Sequence, residues 1–249
     1  MRPGTIALAV SSLLVGLVLG LLLTNWVTLR LARRLYADAN AVRLDPWGLR
    51  DRVFAPLPPQ PDTRTLVALG DSTLALWPLP SAPGYRLANR GINGQTSAQV
   101  LGRFESHVHA LNPQVVLLAF GINDLKTIPL FPGQREAIVA ACKRNWAQAI
   151  RASRALGARV IVTTILPTGP VRLLWRPIWS ADIDRAIREV NAFIVEQAKQ
   201  EGALVLDSHA LLANAQGTLR RELAEDELHT NQAGYALLSQ ALVQLLEQP

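Results

Sequence analysis

The sequence predicts an α/β fold, a parallel β-sheet sandwiched between layers of helices, carried behind one membrane-spanning helix. Three observations lead there. Short apolar blocks alternate with helical patterns from about residue 64 to the carboxyl end, the signature of a sheet covered on both faces. The blocks lack strict apolar–polar alternation, as strands buried on both sides do. From Pro3 to Leu29 no side chain is charged, a run long enough to cross a bilayer as a helix.

That first run, residues 1–29, is read as a single-pass N-terminal anchor, with Trp26 where an interfacial ring belongs. The competing reading is a cleaved signal peptide. No small-x-small site closes the run, and the nearest such pattern, Ala37-Asp38-Ala39, lies beyond Arg30, Arg33 and Arg34. Arg30, Arg33, Arg34 and Arg43 outnumber Arg2 across the span, so positive-inside bias taken literally keeps the bulk of the chain cytoplasmic. The sequence does not fix the side. Residues 30–63 form a juxtamembrane segment and a connector, FAPLPPQPDTR, stiffened by prolines from Pro56 to Pro61. The folded domain is then residues 64–249.

Within it, strands are expected at Leu66–Leu69, Arg86–Asn89, Val115–Phe120, Val160–Ile165 and Leu204–Leu206. Helices are expected at Ser97–Leu111, Gln134–Leu156, Ala181–Glu201 and Gln232–Glu247. A long irregular stretch, Thr168 to Ser180, follows the fourth strand, and loops of that length are often functional.

Charge excludes one class of function. Of the net charge of +6, residues 1–50 supply six Arg against two Asp, so the folded part carries little excess. No basic block interleaved with aromatics follows, and nucleic-acid binding is not expected. The basic flank suits anionic lipid headgroups instead. Cys142 is the only cysteine, which rules out an intramolecular disulfide and reads as a small apolar residue on a helix.

Ligands of such folds bind at the carboxyl ends of the strands, so the residues just past each strand carry the functional argument. The stretch TLVALGDSTLALWP stops a buried strand at Gly70 and presents Ser72 at the start of a helix. Asp71 or Ser72 as a plain helix cap is the ordinary alternative. Gly94 follows the second strand, Asn123 the third, and AEDELHTNQAGYALL places Asp226 and His229 before the last helix. Acyl transfer needs an activated hydroxyl, a base, a group that orients the base, and oxyanion donors. Ser72, His229 and Asp226 fill the first three roles. The backbone N–H groups of Ser72 and Gly94, with the Asn123 amide, would form the oxyanion hole.

In this order, GDS at Gly70–Ser72, NRGINGQTS with Gly94, FGIND with Asn123, and DELH ending at His229 resemble the four blocks of the SGNH (GDSL) hydrolases, from about Thr65 to the carboxyl end. The resemblance implies a three-layer α/β/α, flavodoxin-like fold with esterase or lipase chemistry and no metal. Thr230 departs from the proline that the family often has after the histidine, and Trp77-Pro78 marks the loop after Ser72.

Asp207 and His209 form a second acid and histidine pair, read as a decoy in which Asp207 and Ser208 cap a turn. His107 and His109 read as solvated residues at a helix end. Asp71 and Asp124 are expected to brace their loops by hydrogen bonds. Trp77, Trp175 and Trp179 are candidate substrate contacts, with core packing as the alternative for the last two. The reading is a cofactor-free, membrane-anchored serine hydrolase of small-molecule or lipid esters, lysophospholipid-like amphiphiles among them. Its alternatives are an envelope glycan O-acetylesterase and a catalytically silent tethered binding domain. A nucleotide-binding module lacks its glycine fingerprints after the first strand.

Overall fold

The computed structural model describes residues 3–42, 54, 62–173 and 175–248. The chain divides into two compact units, Met1–Pro46 and Trp47–Pro249. In the first, helix α1 (Pro3–Val42) extends well past the expected anchor. Its stretch Val10–Arg33 is long and apolar enough to cross a membrane, a test that a signal sequence also passes. The remaining juxtamembrane residues, 43–53, and the Pro56–Pro61 connector lie outside the described residues, as does Leu174 in the long loop.

The second unit is built from β1 (Arg64–Gly70), α2 (Ser72–Ala75), β2 (Tyr85–Gly91), α3 (Ser97–Gly102), α4 (Phe104–His107), β3 (Val115–Ala119), α5 (Ile122–Leu125), α6 (Arg135–Ala155), β4 (Arg159–Thr163), α7 (Asp182–Glu201), β5 (Leu204–Leu206), α8 (Ser208–Leu212) and α9 (Gln232–Glu247). All strand pairs are parallel, in the order β2-β1-β3-β4-β5. This is the three-layer, flavodoxin-like arrangement expected. Its winding reverses between β1 and β3, which leaves a crevice at their carboxyl ends.

Side chains that alternate along each strand feed two separate cores. Val67 and Leu69 of β1, Val116 and Leu118 of β3, and Val160 and Val162 of β4 pack in one core with Cys142, Trp146 and Ile150 of α6 and Ile187, Val190 and Ile194 of α7. Leu66, Ala68, Val115, Leu117 and Ile161 pack in the other with Leu238, Leu242 and Leu246, spaced by four along α9. Cys142 is thus a buried apolar filler, and burial pushes its thiol pKa well up.

Three expectations are corrected. The helix expected over Ser97–Leu111 is instead α3, α4 and a 3₁₀ turn at His109–Leu111, broken at Arg103. The guanidinium of Arg103 turns inward to backbone carbonyls, and the main chain departs from helical geometry to let it. His107 is buried beside that guanidinium, its Nδ1 3.1 Å from Arg103 Nη1; His109 alone is exposed, against Glu105. Trp77 is 2% exposed, stacked on Tyr235 and donating its indole N–H to Ser239 Oγ at 3.0 Å. It is a core residue facing α9 rather than a substrate contact.

At the functional edge, backbones crowd together. A Cβ on Gly70 would lie 1.9 Å from the carbonyl oxygen of Ala119, its partner on β3, and one on Gly91 would lie 2.2 Å from Ala75 N. Both positions therefore demand glycine. Gly70→Ala should cost about 3 kcal/mol, because only backbone movement relieves the clash. Gly133→Ala, with open space around it, should stay within about 0.5 kcal/mol. Urea unfolding of both variants checks this, and equal midpoints would refute it.

Candidate active site

β1 ends at Gly70, and the next residue organises the turn. Asp71 is fully buried; its Oδ1 accepts from Thr73 N at 2.9 Å, capping α2, and its Oδ2 accepts from Gly121 N at 3.2 Å, beyond β3. Burial raises its pKa, against the lowering effect of those backbone N–H groups. The cap falls to Asp71, which leaves the Ser72 hydroxyl free to turn toward the crevice. His229 Nε2 lies 2.9 Å from Ser72 Oγ, and its Nδ1 lies 2.9 Å from Asp226 Oδ2 and 3.0 Å from Oδ1.

The segment that holds this pair is closed on itself. Asp226 Oδ1 also accepts from the backbone N–H of Leu228 and His229, each at 2.8 Å. Burial pushes the Asp226 carboxyl up, but the His229 ring and these N–H donors outweigh it and leave it below the ordinary carboxylate value. Glu225 N donates to His229 O, and Asn231 caps α9 through Ala233 N and Gly234 N. Thr230, the departure from the family's proline, donates its hydroxyl to Leu223 O at 2.7 Å. A Cβ on Gly234 would strike that hydroxyl at 1.8 Å, so the threonine and the glycine are fitted to one another.

Gly70 pairs with Gly91 and with Ala119, so the loops bearing Ser72, Gly94 and Asn123 leave the sheet side by side. Gly94 holds a left-handed φ of +77°, open to glycine without strain. Neither Ser72 N nor Gly94 N donates a hydrogen bond among the described residues. The Asn123 amide donates to Gln95 O at 3.0 Å, which ties it to the Gly94 loop. Gln95 itself was not apparent from sequence. Asp124 braces the same floor by accepting from Ser97 N and Ser97 Oγ, both at 2.7 Å. Half-buried Lys126 brings a positive charge to this side, its pKa lowered by burial against the pull of Asp71, Asp226 and Glu227.

The second acid and histidine pair is elsewhere. Asp207 caps α8 through Ala210 N and accepts from Thr164 Oγ1, and burial lowers the pKa of His209. Trp175 of the loop is 40% exposed and Leu173 78%, whereas Trp179 packs on the core. The loop is fastened to the histidine segment. Gly169 N donates to Glu227 O, and Arg172 Nε and Nη2 reach Glu227 Oε2 and Oε1 at 2.7 and 2.8 Å. A Cβ at Gly169 would fall 2.3 Å from Asp226 O. Among the described residues there is no cluster of metal-ligating side chains.

A doubly wound sheet with a serine, an imidazole and a carboxylate in hydrogen-bonded series at its carboxyl edge defines the class as a serine ester hydrolase. The chain belongs to the GDSL-like lipase/acylhydrolase family, whose model matches residues 68–237. A GDSL-like lipase from Bacteroides thetaiotaomicron is similar in fold, with a TM-score of 0.62 at 24% identity over 86% of this chain and 97% of that one. So is a catalytic mutant of an acetylxylan esterase from Geobacillus stearothermophilus, with a TM-score of 0.59 at 19% identity over 75% and 95%. No match to a curated protein is found.

The half-buried acid beside Asn123 gives a pH signature. Burial, opposed by both Ser97 donors and reinforced by the charge of Asp71, pushes Asp124 up to about 6 from 3.8. Its stabilising contribution is thus complete below 3.8 and is lost as pH rises through about 6. Relative to Asp124→Asn, the wild-type chain should lose on the order of 1 kcal/mol per pH unit across that window. Urea midpoints of the two proteins that run parallel from pH 4 to pH 7 would refute this.

Proposed function

We propose that Ser72 is the nucleophile, His229 the general base and acid, and Asp226 the group that orients the imidazole, in hydrolysis of carboxylic acyl esters. One observation carries the assignment: a single imidazole reaches Ser72 Oγ and the Asp226 carboxylate with opposite nitrogens, each at 2.9 Å. Ser72 Oγ attacks the ester carbonyl as His229 Nε2 takes its proton, while Asp226 accepts a hydrogen bond from Nδ1–H and stabilises the imidazolium. The N–H groups of Ser72 and Gly94 and the Asn123 amide receive the oxyanion. Collapse expels the alcohol, protonated by His229, and water drawn through the same base releases the acid.

Lipid-like esters are the substrate class we favour. Beside the histidine segment the loop exposes Leu173 and Trp175 next to Arg176, with Arg172 engaged by Glu227, a mixture suited to an acyl chain beside an anionic headgroup. An N-terminal anchor in α1 would confine the domain to a bilayer surface and raise the effective concentration of such substrates. The fold shared with an acetylxylan esterase supports a second reading, deacetylation of an envelope glycan.

Ser72→Ala should abolish both fluorophosphonate labelling and ester hydrolysis, and His229→Ala should lower turnover by several orders of magnitude. Asn123→Ala should reduce kcat by about 10²–10³ with labelling still detectable. His209→Ala should keep most of the rate; a loss equal to that of His229→Ala would overturn the assignment. For substrate, Trp175→Ala should raise KM for a single-chain phospholipid and spare p-nitrophenyl acetate. Acetylated glycan as the fastest substrate would replace the lipid reading with the second one.

A further inference from the structure

Arg103 stands where α3 gives way to α4, with a non-helical backbone (φ −108°, ψ 12°), and is wholly buried. A guanidinium taken out of water is costly unless its N–H groups find acceptors, so the choice of acceptors is informative. Nε donates to Gln95 Oε1 at 2.6 Å, Nη1 to Arg90 O at 2.7 Å and Nη2 to Gly70 O at 2.6 Å. These lie on the loop after β2, on β2 itself and on the last residue of β1.

Two of these acceptors, on Gly70 and Gln95, lead to the oxyanion donors assigned above. The Gly70 carbonyl belongs to the peptide whose N–H, that of Asp71, is fixed at 3.1 Å to Ala119 O; the next peptide carries the Ser72 N–H. Gln95 follows Gly94 directly, and its own carbonyl accepts from the Asn123 amide. One planar cation therefore holds the segments of Ser72 and Gly94 directly and that of Asn123 through Gln95. The outer side is packed by His107, against whose ring Phe54 stands edge-on with centroids 5.1 Å apart.

We propose that Arg103 is a positioning residue for the oxyanion hole, setting the separation of its three donors without touching substrate. The inference rests on the catalytic assignment in the preceding section. Arginine is required because only its rigid fork spans acceptors on separate segments; the compact lysine ammonium reaches fewer of them. A displacement of about 1 Å in such a site is worth on the order of 10² in rate.

The test uses the full-length chain in detergent, with p-nitrophenyl acetate as substrate and a trifluoromethyl ketone as the analogue of the tetrahedral adduct. Arg103→Lys should lower kcat by about 10², with KM changed less than about threefold and analogue affinity falling in step with kcat. Gln95→Met, which keeps the guanidinium on Gly70, should show a smaller loss of the same kind. Should Arg103→Lys fail to fold, Gln95→Met decides the matter. In Arg103→Ala, methylguanidinium should restore part of the lost kcat. A kcat within threefold of wild type in the folded variants, or a lower melting temperature with analogue affinity unchanged relative to KM, would overturn the proposal. If wild-type protein also failed to label at Ser72, or Asn123→Ala kept full activity, the catalytic assignment would fall and this inference with it. If those controls behave and Arg103→Lys is fully active, only the role of Arg103 falls.

Discussion

The carboxylate of Asp71 is the bond on which the site depends. It sits without solvent between two chain segments that the sheet brings side by side, one oxygen receiving Thr73 N and the other Gly121 N. Burying a carboxylate is unfavourable unless its lone pairs are met, and here backbone N–H groups meet them. The consequence is geometric: the turn that carries Ser72 and the turn that carries Asn123 cannot move apart without leaving a buried acid oxygen and a backbone N–H unpaired. Close backbone packing at Gly70 enforces the same spacing sterically, and Arg103 Nη2 donates to the Gly70 carbonyl at 2.6 Å.

The polar floor beneath the crevice follows the same logic. Asp71 and Asp124 are acids held away from solvent, each of their oxygens met by one N–H or O–H donor, and the half-buried Lys126 ammonium adds its charge to the field of Asp71. Such networks are costly when incomplete and rigid when complete. For the proposed oxyanion hole rigidity is the useful property, since oxyanion stabilisation relies on donors that need no reorganisation as charge develops.

Much of this was legible in the sequence, for identifiable reasons. The strands announce themselves because blocks such as Leu66–Leu69 and Val115–Leu118 are buried on both faces, a condition only apolar residues satisfy. Asp226 and His229 could be paired because three residues in one tight loop bring them together locally. What escaped were contacts between distant segments. Nothing in the spacing of Ser97–Leu111 reveals that Arg103 abandons the helix to reach carbonyls of β1 and β2, or that His107 is buried beside it. Trp77 reads as a candidate substrate contact in a proline-bearing loop, yet its partners Tyr235 and Ser239 stand more than 150 residues away. Arg172 and Glu227, 55 positions apart, leave no local mark.

That last ion pair changes how the enzyme could diversify. The loop of Leu173 and Trp175 is joined to the histidine segment by Arg172 and Glu227, and Gly169 presses so closely on Asp226 O that any side chain there would collide. The loop is therefore not a free cassette. A graft that altered it alone would leave Glu227, itself nearly buried, without its countercharge one residue from Asp226. New specificities on this scaffold have to be inherited as a two-part module, the 168–180 loop together with residues 224–230, and recombination between relatives succeeds only where both crossovers respect that linkage.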